Sequence, residues 1–110
     1  MKMSPQDFWV VLVTTPDEKV AGEIAEKLVE EDIAACVNIL PGVKSLFSWQ
    51  RKLSREEETL MIVKTRRAFF KDRVVPLIQE HHPYQVPEII ALPIAGASES
   101  YLHWMAEETA

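Results

Sequence analysis

Apolar positions along this chain follow two rhythms, one of short dense runs and one of spaced stripes, and their alternation predicts its elements. Residues 8–15, FWVVLVTT, are β-branched and aromatic and end at Pro16. They read as a strand that is apolar on both faces. Over 15–32 the spacing becomes helical: Val20, Ile24 and Leu28, with Ala21, Ala25 and Val29 beside them, form one stripe. Thr15 is the expected N-cap, with Pro16 at the first helical position and Glu18 completing a capping box. Residues 33–50 read as a long strand interrupted by a bulge or bend at Pro41-Gly42. RKLSRE is expected to turn the chain back into a third strand, 57–65, with Leu60 and Ile62 on one face and Met61 and Val63 on the other. A second helix is predicted from Ala68 to His81, its inner face supplied by Phe70, Val74, Leu77 and Ile78. Pro76 inside it predicts a bend or a division into two pieces. EIIALPI, 88–94, reads as a fourth strand, and SESYLHWMAEE, 98–108, as a short closing helix capped by a serine.

The order β-α-β-β-α-β-α splits into two β-α-β halves, 8–49 and 57–94. It predicts an α+β, ferredoxin-like βαββαβ fold with a short C-terminal helix, all in a single domain over residues 1–110. The two main helices of such a fold cover one face of an antiparallel sheet. Strands one and three are apolar on both sides, so the second face also needs a cover, and sheet-to-sheet association between copies of the chain is expected. Polar substitution at Val11 or Val63 is the test this reading selects.

Composition narrows the partners. The chain has 110 residues with a net charge of −5. An acidic chain without a basic block argues against a nucleic-acid partner, which needs clustered Lys and Arg. No apolar run reaches the roughly 20 residues that cross a bilayer, so membrane insertion is not expected. MKMSPQD leads into a strand without a cleavage-type site, and Cys36 is the sole cysteine. Both features agree with a cytoplasmic protein.

Five stretches then carry a resemblance: AACVNILPG at 34–42, SLFSWQRKL at 45–53, IVKTR at 62–66, HHPYQVPEIIALPI at 81–94 and YLHWM at 101–105. Each is short, but their shared order and spacing from about Phe8 to Met105 resemble the CutA family of divalent-cation tolerance proteins. The resemblance implies a tight homotrimer of ferredoxin-like subunits, similar in architecture to the PII signalling proteins, and a part in copper or other divalent-metal tolerance. Two departures stand out. Members usually carry a glycine in the hairpin after the tryptophan, where Gln50-Arg51-Lys52 stands here. A first-strand cysteine linked to copper in some bacterial members is matched here by Val13, so a copper site built on that thiol is expected to be absent or altered.

The candidate chemistry divides into two sets. His81 and His82 are adjacent, and neighbouring residues on a helix or a strand do not converge on one ion as i, i+4 histidines do. One reading makes them the end of the second helix: Pro83 disfavours helix at His82, and an imidazolium at His81 suits the helix dipole. The other makes them metal ligands, with missing ligands supplied by other copies. Cys36 has the same two readings, a small buried hydrophobe or a soft copper ligand. The second set, Trp49, Lys64, Tyr84, Glu88, Tyr101 and Trp104, matches by resemblance the clefts between subunits. It reads as a ligand pocket with aromatic walls and fixed charges, or as trimer packing with Lys64 and Glu88 as an ion pair. The run REEE at 55–58 reads as a solvated face. His103 has no partner visible in the sequence.

No nucleophile–base pair, phosphate loop or H-E-x-x-H motif is visible, so an enzyme is not expected. The expectation is a trimeric cytoplasmic protein of divalent-metal tolerance, binding copper or similar ions weakly and no organic cofactor. The alternative is a PII-like signalling or scaffold trimer that takes a small molecule in its inter-subunit clefts. A third reading is a structural role in anchoring or maturing an unidentified protein partner.

Overall fold

The computed structural model describes residues 3–110. A single turn at Pro5–Asp7 leads into β1 (Phe8–Thr15), followed by α1 (Glu18–Glu30), β2 (Ala34–Trp49) and β3 (Lys52–Arg66). The chain continues through α2 (Val75–His81), β4 (Ile89–Pro93) and α3 (Glu99–Glu108). The strands form one sheet in the order β2-β3-β1-β4. All three pairings are antiparallel, which is the ferredoxin-like arrangement.

Local chemistry explains the element ends, and some differ from the sequence expectation. The N-cap of α1 is Asp17, not Thr15: the Asp17 carboxylate accepts from the Val20 amide at 2.9 Å. Thr15 belongs to β1, and its hydroxyl donates to the Asp17 carbonyl at 2.8 Å. At the far end of α1, the Ile33 amide donates to the Leu28 carbonyl and the Asp32 amide to the Val29 carbonyl, at 2.9 and 3.1 Å. This is a Schellman closure, with Asp32 at φ 59° where glycine is preferred. The second helical segment is in pieces, as Pro76 predicts: a 3-10 turn at Arg67–Phe69, a π-helical stretch at Phe70–Val74 and then α2, with Pro76 in the first turn, where its missing N–H costs nothing.

The β2–β3 connection is shorter than expected. Trp49 pairs with Lys52, so Gln50 and Arg51 alone make the turn, both in the left-handed region at φ 52° and 64°. This is the positive-φ pattern of a type I′ hairpin, achieved without the usual Asn-Gly. RKLSRE is therefore mostly strand. β3 pairs with β1 only from Thr59 to Arg66, so the outer halves of β2 and β3 project as a two-stranded arm. Register shifts in β2 between Ala34 and Cys36 and between Leu40 and Val43 mark two bulges. Gly42 takes φ 76° at the second bulge, and Pro41 is tolerated because β2 is an edge strand.

Those bulges decide which side chains share a face. On one face, Val11, Val13, Met61 and Val63 meet Ala21, Ile24 and Leu28 of α1 and Val74 and Ile78 of the second helical segment, all fully buried. The register places Val10, Leu12, Leu60, Ile62, Leu40, Ile90 and Leu92 on the other face. There Leu40, Ile90 and Leu92 are 41%, 51% and 52% exposed. One end of this face is closed by α3: Phe8, Ala35 and Met105 form a second buried cluster. The Arg66 guanidinium donates to the Ala106 carbonyl at 2.8 Å and to the Thr109 hydroxyl at 2.9 Å, a cation at the end of α3 where the helix dipole favours it. Val11 and Val63 thus lie under the helices and are not probes of the open face; Leu12 and Ile62 are.

Relieving the left-handed strain makes two stability predictions. Asp32→Gly is expected to stabilise the fold by about 1 kcal/mol, and the pair Gln50→Asn, Arg51→Gly by a similar amount, because glycine or asparagine enters these conformations with less steric cost. Urea unfolding curves measure both. In the same assay Leu28→Ala should cost about 3 kcal/mol through the cavity it leaves.

Candidate functional site

The HHPY segment leaves α2 and crosses the C-terminal end of β1. His81 is the last residue of α2, with its side chain 32% exposed and Nε2 4.0 Å from Glu80. His82 turns inward and is 7% exposed. Its Nε2–H donates to the Thr14 carbonyl at 2.7 Å, and its Nδ1 accepts from the Tyr84 amide at 3.1 Å. A carbonyl can only accept and an amide N–H can only donate, so these partners fix a neutral imidazole with its proton on Nε2. Both ring nitrogens are occupied, and in this conformation His82 has no lone pair for a metal. The helix-end reading describes it: His82 is a clamp between the 82–88 segment and β1, with its ring 4.7 Å from that of Tyr84.

Tyr84 carries the clamp onward. Its hydroxyl donates to a carboxylate oxygen of Glu58 at 2.9 Å. Glu58 is 6% exposed, so the REEE run is only partly a solvated face: Arg55, Glu56 and Glu57 are exposed and Glu58 is buried against Tyr84. Burial pushes the Tyr84 phenol up to about 12, helped by Glu58, Glu56 and Asp17. Tyr84 therefore remains a donor throughout the physiological range. Partial burial, and then the charge of Glu58, also raise the Glu88 carboxyl above its ordinary range. Glu88 thus sits beside a like charge. Lys64, its expected ion-pair partner, bonds instead to Asn38.

Between this segment and the arm lies a cleft of about 440 Å³, walled by Phe47 and Trp49 of β2, Tyr84 and Val86, with Glu56 of β3 on its rim. The bulge at Pro41-Gly42 matters here, because it places Phe47 opposite Ser54 and Trp49 opposite Lys52 on the face that also carries Glu56 and Glu58.

The remaining candidates gather at the other end of the open face. The Lys64 ammonium lies 3.9 Å from the Cys36 sulfur as well as bonding to Asn38. Burial, followed by the neighbouring Cys36, raises the Tyr101 phenol above its usual value. Tyr101 and Trp104 pack together on α3 with ring centroids 5.3 Å apart and planes tilted by 41°. The two predicted sets are therefore regrouped: Trp49, Tyr84 and Glu88 belong with His82, whereas Lys64, Tyr101 and Trp104 belong with Cys36. Asn38 and Glu58 were missed by sequence reasoning; Asn38, a polar residue between Val37 and Ile39, offered a signal, whereas Glu58, between Glu57 and Thr59, offered none. His103 pairs with Glu107 at 2.7 Å on the exposed side of α3. Val13 is buried in the helix-side core, so that position offers no ligand.

Fitting a metal to these residues has a clear outcome. Among the described residues, no three His, Cys, Asp or Glu side chains are grouped to hold an ion. His81, His82 and Cys36 are not brought together within one chain.

Comparison with known proteins agrees with the fold and settles the family. The family model described as CutA1 divalent ion tolerance protein matches residues 9–108. The chain belongs to this CutA1 family. It is 50% identical over 103 residues to the divalent-cation tolerance protein CutA of Thermus thermophilus, covering 91% of this chain and 96% of that one. It is 39% identical over 105 residues to protein CutA of Mus musculus, of which it spans only 59%. Among solved structures, the divalent cation tolerance protein of Thermus thermophilus superposes with a TM-score of 0.90 at 47% identity, covering 94% of this chain and 99% of that one. A structure described as the periplasmic divalent cation tolerance protein CutA from Archaeoglobus fulgidus gives a TM-score of 0.89 at 37% identity, with the same coverage.

Two outcomes follow from this geometry. His82→Ala should destabilise the protein by about 2–4 kcal/mol, because it strands a buried carbonyl and an amide, whereas His81→Ala should stay within about 0.5 kcal/mol. Glu88→Gln should stabilise at neutral pH. The folded state raises this carboxyl, so its penalty is absent at low pH, where the group is protonated both folded and unfolded, and grows as pH rises through the carboxylate range to the raised folded value. The advantage of Glu88→Gln in urea unfolding should therefore vanish on acidification.

Proposed function

We propose that this CutA1 protein serves divalent-cation tolerance as a homotrimer that holds copper or a similar ion between copies of the chain. The observation that carries the reading is the position of Cys36: it lies on the uncovered sheet face, half-buried, where a second copy would pack. One chain supplies too few ligands, so sharing among copies is the arrangement its residues permit. A thiol is a soft ligand suited to Cu(I), and an imidazole such as that of His81 suits Cu(II) and Zn(II). The role is one of binding, without catalysis, and the sole cysteine is consistent with a cytoplasmic setting.

A second reading has its own observation, the aromatic cleft at Trp49 and Tyr84. In it the trimer, PII-like in architecture, accepts a small molecule or a partner segment there.

Titration of the native protein with Cu(II) and Zn(II), and with Cu(I) under reducing conditions, tests the first reading. Saturable binding at a fixed ratio per oligomer, weakened about tenfold or more by Cys36→Ser or His81→Ala, is expected from the loss of one ligand. Binding unchanged in both variants, or no saturable binding, would contradict it. His82→Ala is excluded from this comparison because it disturbs the fold.

A further inference from the structure

The cleft beside the arm has a composition that selects the charge of its ligand. Its volume of about 440 Å³ lies within the range of small-molecule pockets. Phe47, Trp49 and Tyr84 border it and are 39%, 46% and 36% exposed in the single chain. Tyr84 rests against His82. Among the described residues, Phe47 and Trp49 enter none of the close ring pairs, which join Trp9 to Phe70, His82 to Tyr84 and Tyr101 to Trp104.

The charged group on the rim is Glu56, exposed and among the described residues without an ion-pair partner within 4.0 Å. Glu58 is not among the lining groups; it lies behind Tyr84 and accepts from its hydroxyl at 2.9 Å, which leaves Glu56 as the charged group of the lining. Burial first, and then Glu58, Glu56 and Asp17, push the Tyr84 phenol up to about 12, so its hydroxyl faces the cleft region as a neutral donor. Lys52, opposite Trp49 at the arm tip, is not among the lining groups. Aromatic faces carry negative charge density at their centres, so rings and carboxylates favour the same kind of guest.

We propose that this cleft binds a small organic cation, an alkylammonium whose apolar body contacts Phe47, Trp49 and Tyr84 while its charge faces Glu56. An anion would meet the Glu56 carboxylate with no cation in the lining to compensate it, and a neutral apolar guest would gain nothing from Glu56. The inference rests on the cleft reading above and is independent of the transition-metal reading.

The test is NMR titration of the native oligomer with tetramethylammonium chloride at constant ionic strength, followed through the Trp49 indole signal, which Trp49→Phe assigns. Tert-butanol, of similar shape but neutral, is the parallel probe. Saturable binding of the cation is expected, with tert-butanol giving no saturable shift. Glu56→Gln and Phe47→Leu should each weaken the cation about fivefold or more, and Glu57→Gln, the same charge change at the neighbouring position, should leave it unchanged. Equal saturation by tert-butanol would overturn the charge selection while leaving the cleft as a ligand site. No shift with either probe would overturn both. Equal weakening by Glu57→Gln, or binding that appears only when the oligomer is dissociated, would also overturn the proposal; the latter would assign the cleft to a second copy of the chain.

Discussion

An apolar second sheet face is the constraint on which the rest of this structure depends. A four-stranded antiparallel sheet needs only one apolar face to hold two helices, and Val11, Val13, Met61 and Val63 supply it. Val10, Leu12, Leu60 and Ile62 form a second apolar set on the opposite face, and α3, which reaches this side, covers one end of it. Contiguous apolar surface of this kind is uncommon on a soluble monomer, because each square ångström left in water forgoes roughly 25 cal/mol. The two β2 bulges belong to the same logic. Each resets the alternation, so that Cys36, Asn38 and Leu40, and then Val43, Phe47 and Trp49, present to one face across 16 residues of a strand that would otherwise twist and drift out of register.

The functional candidates are arranged around that face. One group is held by backbone chemistry: His82 joins the Thr14 carbonyl to the Tyr84 amide, and Tyr84 in turn holds Glu58. This clamp gives the cleft one rigid wall while the arm supplies the other. The second group, Cys36, Lys64 and Tyr101, lies where α3 ends its cover, so any ligand it binds is coupled to whatever meets the open sheet. Membership of the CutA1 family and the superposition on its solved structures agree with this fold.

Much of the fold was legible in the sequence because period-two and helical stripes are dense here, and Pro41-Gly42 and Pro76 announce their irregularities. The element ends were less legible. Thr15, Pro16 and Glu18 imitate a capping box, yet Asp17 has the better geometry for the cap, and only the chain path decides between them. The two-residue turn at Gln50-Arg51 was hidden because neither residue advertises positive φ. The site was legible at the level of its residues but not of their grouping. Lys64 and Glu88 suggest an ion pair by their opposite charges, whereas strand register sends them to opposite ends of the face. His82 resembles a ligand in the sequence because sequence alone cannot show a Thr14 carbonyl waiting for its proton.

The measurement that bears most directly on this account is the solution mass of the 12.6 kDa chain by sedimentation equilibrium, from micromolar down to nanomolar concentration, for the native protein and for Ile62→Glu. A mass of three chains that persists on dilution in the native protein, and dissociates in a variant whose secondary structure is kept, is the predicted result. A native protein that stays monomeric and folded at micromolar concentration would contradict the claim that the second sheet face exists to be covered.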